Sequence, residues 1–183
     1  GDCTDGVGLV KDLTVNKNQS IKEKSILVIG AGGASRGILP ALLKEQPKSI
    51  VIANRTVEKA ERIAKEFSSN ALQTSKSSNL IASSLSFEAL KDFEFDVVIN
   101  ATSVSTNPSQ NLNLDESVFR NTSLALDLYY SQAFTPFMDL ADRAKVPNVI
   151  DGWGMLVEQA AESFFLWTGF KPDTSELIAK HGE

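Results

Sequence analysis

Three glycines set the first chemistry open to this chain. Gly30, Gly32 and Gly33 stand between an apolar run, Ile26 to Ile29, and a helix-forming run from Ala34 to Lys44. A short apolar strand, a glycine turn and a helix make up the first βα unit of a dinucleotide-binding domain. Gly30 permits the tight turn, and Gly32 lets backbone come within contact distance of a pyrophosphate. The helix starting near Gly33 then offers unpaired N–H groups and a partial positive charge to that anion. Ser35 holds the third position of the fingerprint and is small enough for helix and strand to stay closely packed.

The next residues with chemistry lie where the second strand should end. A site for NAD places Asp or Glu there, some 20 residues after the glycines, to bond the ribose 2′-hydroxyl. This chain has Asn54-Arg55-Thr56, with Lys59 one turn on. An acidic side chain would repel a 2′-phosphate, whereas a guanidinium offers it charge-assisted hydrogen bonds. Asn54 and Thr56 add neutral donors, and Thr56 is placed to cap the following helix. These residues predict NADP rather than NAD; the plain alternative is a solvated Arg55 and an exposed Lys59.

A substrate belongs beyond the carboxyl ends of the strands. Three such ends carry polar or small residues: Asn100-Ala101-Thr102-Ser103, Asp127-Leu128-Tyr129-Tyr130 and Asp151-Gly152. Hydride transfer to or from an alcohol also needs a proton carrier. His181, the single histidine, reads as a solvated tail residue. Asp5, between Thr4 and Gly6, is the carboxylate best placed for chemistry, although a helix cap explains it equally well. Cys3 is alone, so no disulfide framework, CxxC site or other metal cluster is expected.

The elements that must hold these residues follow from periodicity. The 183 residues, 42% hydrophobic and 22% charged, suit one α/β domain with a sizeable core. A net charge of −5 argues against a nucleic-acid binder, and no apolar run approaches a membrane span. Together with the lone cysteine this predicts a reducing, cytoplasmic setting. Apolar residues at 9, 10 and 13 predict a first helix ending at Leu13, with a polar linker from Asn16 to Lys24. Strands are expected at 25–29, 49–53, 96–101, 124–128 and 149–150, with a weak one between 68 and 86. Helices are expected at 34–44, 57–67, 135–145, 155–167 and 173–180, and shorter helical turns at 87–90 and 115–119. Alternating strands and helices imply right-handed crossovers, hence a Rossmann-like, doubly wound, mostly parallel sheet with helices on both faces. Gly1 is not a start residue, and the opening reads as the middle of something longer.

Six ordered segments carry a family resemblance: GDCTDGVGLVKDL, GAGGASRG, NRT, FDVVINATS, TPF and DGWGMLVEQAAESFFLWTG. With them the chain resembles the shikimate dehydrogenases, NADP-dependent enzymes that interconvert 3-dehydroshikimate and shikimate on the route to chorismate and the aromatic amino acids. The resemblance implies that Gly30, Ala31, Gly32, Gly33 and Ala34 hold the pyrophosphate. It implies further that Asn54, Arg55, Thr56 and Lys59 hold the 2′-phosphate, and that Thr102, Ser103, Leu128 and Gly152 line the nicotinamide side. Asp5 matches the aspartate that works beside a catalytic lysine; Tyr130 and Gln159 match substrate contacts.

Two departures stand out. Cys3 takes the place of an asparagine, and residues 1–183 are expected not to include the amino-terminal domain that supplies the lysine in that family, so no lysine is carried over. The expectation is a cofactor-binding domain over residues 1–183, unable to turn over substrate alone, whose 1–24 and 153–183 segments would face that other domain. Leu9, Leu13, Phe164, Phe165 and Trp167 are then expected to be exposed, giving self-association or a loosely ordered first helix. A quinate-using relative, an NAD-preferring one and a non-catalytic NADP-binding module remain alternatives.

Overall fold

The structure, a computed structural model, describes residues 2–74, 82–106 and 112–180. Six strands form one sheet in the order β3-β2-β1-β4-β5-β6. They are β1 (Ser25–Ile29), β2 (Ser49–Ala53), β3 (Ala82–Leu85), β4 (Val97–Asn100), β5 (Leu124–Asp127) and β6 (Asn148–Ile150). All five pairings are parallel. Continuous apolar runs such as Ile26 to Ile29 fit strands that are covered on both faces.

Alternate strand residues feed two cores. Ile26, Val28, Ile50, Ile52, Val97 and Ile99 pack under Leu9, Leu13, Ile38, Leu42 and Ile63 on one face. Leu27, Ile29, Val51, Val98 and Ala125 meet Leu90, Phe119, Phe137 and Met138 on the other. The first face carries α1 (Asp5–Lys11), α2 (Gly33–Lys44), α3 (Val57–Thr74) and α5 (Trp153–Thr168); the second carries α4 (Pro136–Arg143). A short α6 (Ser175–Ala179) follows α5.

Several expectations need correction. Asp5 does not cap α1: Thr4 holds the cap position without a side-chain bond, and Asp5 opens the helix itself. The helix does not stop at Leu13 but widens into a π-helical turn, Asp12–Asn16, which shortens the linker. Leu9 and Leu13 are wholly buried, because α1 wedges between α2 and α5 with its apolar stripe on the sheet. Phe164, Phe165 and Trp167 are exposed as expected, Trp167 to 83%. α3 runs on to Thr74, where a loop was expected, and the weak strand is β3. α5 ends at Gly169, whose φ of 72° lets its N–H return to the Phe165 carbonyl at 2.8 Å.

Candidate functional site

Parallel register places the strand ends in one row. Ile29 pairs with Ala53 and Asn100, Asn100 with Asp127, and Leu126 with Ile150. The residues that leave the sheet there are therefore Gly30, Asn54, Ala101, Leu128 and Asp151. The order reverses between β1 and β4, and that crevice is where open α/β sheets take ligands.

The glycine turn sits over it. Gly30 has φ 113°, and a Cβ on it would lie 2.8 Å from the Ala101 carbonyl oxygen, so only glycine fits. The Gly30 N–H reaches the Ala53 carbonyl at 2.7 Å, and Ser35, fully buried, donates its hydroxyl to the Gly30 carbonyl at 2.8 Å. Ser35 thus ties the turn shut as well as packing closely. A Cβ on Gly32 or Gly33 would meet nothing within 4 Å. That open, side-chain-free surface, together with the unpaired N–H groups of the α2 start, suits a pyrophosphate.

The loop after β2 follows directly. Asn54 donates through Nδ2 to the Thr56 carbonyl at 2.9 Å, fixing the bend. Lys59 N–H bonds the Thr56 carbonyl at 3.1 Å rather than its hydroxyl, so the expected side-chain cap is not found among the described residues. Arg55, Thr56 and Lys59 are exposed, and neither cation is in an ion pair among the described residues.

Across the reversal, the ends of β4 and β5 are joined by a buried polar network. Asp127 accepts from Asn100 Nδ2 at 3.1 Å, Ser105 Oγ at 2.5 Å, Thr135 Oγ1 at 2.7 Å and the Tyr129 N–H at 3.1 Å. Asn100 also donates to Ser105 Oγ at 3.1 Å, while its Oδ1 accepts from the N–H and hydroxyl of Thr102 at 3.2 and 2.7 Å. Asn100 and Asp127 are fully buried. Burial pushes the Asp127 carboxyl above its ordinary range, opposed by those hydrogen bonds. The sequence placed both residues at strand ends; their pairing rests on the β4–β5 register, which sequence does not reveal.

Leu128 and Gly152 meet as backbone: a Cβ on Gly152 would fall 2.1 Å from the Leu128 carbonyl oxygen. Asp151 Oδ2 accepts from the Ser131 N–H at 3.2 Å, holding this corner to the β5 loop. Ser103 and Tyr130 are exposed, and the Tyr130 ring lies 5.7 Å from that of Trp153.

Helix packing sets Asp5 against α2 and Gln159 against α1. A Cβ on Gly8 would lie 2.6 Å from the Gln159 backbone nitrogen, so α1 and α5 touch main chain to main chain. The Asp5 carboxylate lies against Gly37, one turn along α2 from the glycine cradle. Among the described residues, neither the Asp5 carboxylate nor the Gln159 amide has a hydrogen-bond partner.

The far end of the same helix pair is welded by a cluster that the sequence did not reveal. Lys11 pairs with buried Glu158, which also accepts from Asn16 Nδ2 at 3.0 Å and Thr174 Oγ1 at 2.8 Å. Burial works to raise the Glu158 carboxyl, but Lys11, Asn16 and Thr174 together hold it below the ordinary range. Burial raises neighbouring Asp12, one of whose oxygens has no partner and whose carboxylate covers Gly154. No group of three or more His, Cys, Asp or Glu side chains able to hold a metal ion occurs among the described residues. No helix among them is long and apolar enough to cross a membrane. His181 lies outside the described residues.

A parallel sheet reversing between β1 and β4, a bare glycine turn at the reversal and a polar row along the strand ends define an α/β domain of the dinucleotide-binding type. Comparison with known proteins places it further. The profile of the shikimate / quinate 5-dehydrogenases matches residues 12–131, and that of the shikimate 5′-dehydrogenase C-terminal domain matches residues 152–179. The chain belongs to the shikimate/quinate dehydrogenase family. A shikimate dehydrogenase (NADP(+)) from Nitrosospira multiformis is 43% identical over 178 residues, which cover 97% of this chain and 61% of the relative. The crystal structure of an Ael1 enzyme from Pseudomonas putida superposes with a TM-score of 0.84 at 37% identity, over 98% of this chain and 62% of that one. A shikimate dehydrogenase solved in complex with NADP+ gives 0.79 at 33% identity, over 100% and 63%. The chain therefore spans about three-fifths of the length of these relatives.

Proposed function

We propose that residues 1–183 form the coenzyme-binding part of an NADP-dependent shikimate dehydrogenase and bind NADP(H) in the crevice between β1 and β4. Gly30, Ala31, Gly32, Gly33 and Ala34 cradle the pyrophosphate; Asn54, Arg55, Thr56 and Lys59 receive the 2′-phosphate. Thr102, Ser103, Leu128 and Gly152 border the nicotinamide. The coenzyme supplies or accepts the hydride exchanged with shikimate or 3-dehydroshikimate in the whole protein. Asp5 takes part in the accompanying proton movement at the substrate hydroxyl, and Tyr130 and Gln159 orient the substrate. The Asp5 carboxylate and the Gln159 amide, neither with a hydrogen-bond partner among the described residues, support this part of the reading.

The observation that carries the reading is the exposed Arg55–Lys59 pair, free of ion-pair partners among the described residues, beside a glycine cradle with room for an anion. The test is titration of Arg55→Ala with both reduced coenzymes. Loss of a charge-assisted bond to phosphate, worth about 1.5–3 kcal/mol, weakens NADPH binding at least about tenfold and leaves NADH nearly unchanged. Equal losses for the two coenzymes would refute the 2′-phosphate role.

A further inference from the structure

We propose that Asp127 and Asn100 are positioning residues for the nicotinamide half of the coenzyme; this rests on the coenzyme reading above. The argument is one of hydrogen-bond polarity. A carboxylate only accepts, and Asp127 is met by four donors, one of them the Tyr129 backbone N–H, which cannot turn round. An amide, by contrast, has one donating and one accepting end. With Asp127 and Ser105 on one side of Asn100, Nδ2 must face them, and Oδ1 is left facing Thr102. Thr102 then donates both its N–H and its hydroxyl inward, and its hydroxyl oxygen accepts from the Val104 N–H at 3.3 Å. The bend at 102–104 is thereby set from the charge of a residue on the next strand.

The same carboxylate sets the second loop. Its bond from Tyr129 N–H fixes the turn carrying Leu128 and Tyr130, and Thr135, which caps α4 by accepting from Met138 N–H at 3.2 Å, anchors the far end of that loop. One buried group therefore orients both loops that border the proposed nicotinamide position. Among the described residues it makes no hydrogen bond to the glycine cradle or to the Arg55 loop. A buried network of this kind holds its geometry only when every member is satisfied.

This separation gives the test. Wild type, Asp127→Asn, Asn100→Leu and Arg55→Ala are titrated with NADPH and with 2′,5′-ADP, which carries the adenosine and 2′-phosphate but no nicotinamide. Asp127→Asn puts an N–H where Ser105 and Thr135 donate, and Asn100→Leu removes the acceptor of Thr102. Both are expected to weaken NADPH about tenfold, the scale of one or two lost hydrogen bonds, while 2′,5′-ADP stays within about twofold. Arg55→Ala weakens both ligands. The fluorescence gain of bound NADPH should also fall in the two network variants at saturation. Unchanged NADPH binding in both variants, or parallel losses of NADPH and 2′,5′-ADP, would overturn the proposal. Wild-type chain that binds neither ligand would overturn the coenzyme reading and this proposal with it.

Discussion

Removing the cation from the Lys11–Glu158 pair is the most informative perturbation of the frame. The Glu158 side chain is 0% exposed and that of Lys11 28%, so Lys11→Met strands a carboxylate in the interior. Breaking a buried pair from one side costs about 3–5 kcal/mol. Asn16 and Thr174 still donate to Glu158, and Lys11 is partly solvated, so the lower end, about 3 kcal/mol, is expected at pH 7. For a domain of this size that is a fall in Tm of about 6–12 °C. The pH dependence carries the proof. In the wild type Glu158 lies below its ordinary value, so its contribution is present above about pH 4.5 and lost as pH falls through the lowered pKa. In the variant burial dominates, Glu158 rises above its ordinary value, and stability is lost as pH rises through it. The gap between the two proteins should therefore close on acidification below about pH 4. Urea unfolding followed by tryptophan fluorescence at several pH values measures it. A deficit under about 1 kcal/mol at pH 7, or one that does not change with pH, would refute the reasoning.

Two further outcomes follow from packing. Gly152→Ala drives a methyl into the Leu128 carbonyl, where backbone must move, so a loss of at least about 3 kcal/mol is expected in thermal unfolding; a Tm within 2–3 °C of wild type would show the corner to be soft. The chain should also self-associate through the outer end of α5. There Trp167, Phe170 and Leu177 are exposed, beside a groove of about 440 Å³ lined by Leu156, Phe164 and Phe170. Light scattering should show mass rising with concentration and Trp167→Lys suppressing it, whereas a strict monomer at high concentration would contradict the expectation.

The legible part of this protein was what neighbours in the chain impose on each other. The apolar run into Gly30, the acid-free Asn54-Arg55-Thr56 and the strand and helix alternation all act within a few residues, so the sheet, its parallel sense and the place of the glycine turn could be read directly. The helical pattern of Leu9, Val10 and Leu13 was also plain. What that pattern could not tell was which surface the stripe would meet. α1 instead enters between α2 and α5 because Gly6 and Gly8 admit main-chain contact, which buries both leucines.

By itself, then, the sequence determined the dinucleotide-binding architecture, an arginine just past the end of the second strand and the polar loops at the other strand ends. Only the tertiary structure decided that Asn100 and Asp127 form one buried unit, that Glu158 is paired to Lys11, and that Gly8 lies against Gln159. Those contacts join residues 27, 147 and 151 positions apart in the chain. Their energy depends on burial and on the direction of each hydrogen bond, and both exist only once the elements have packed.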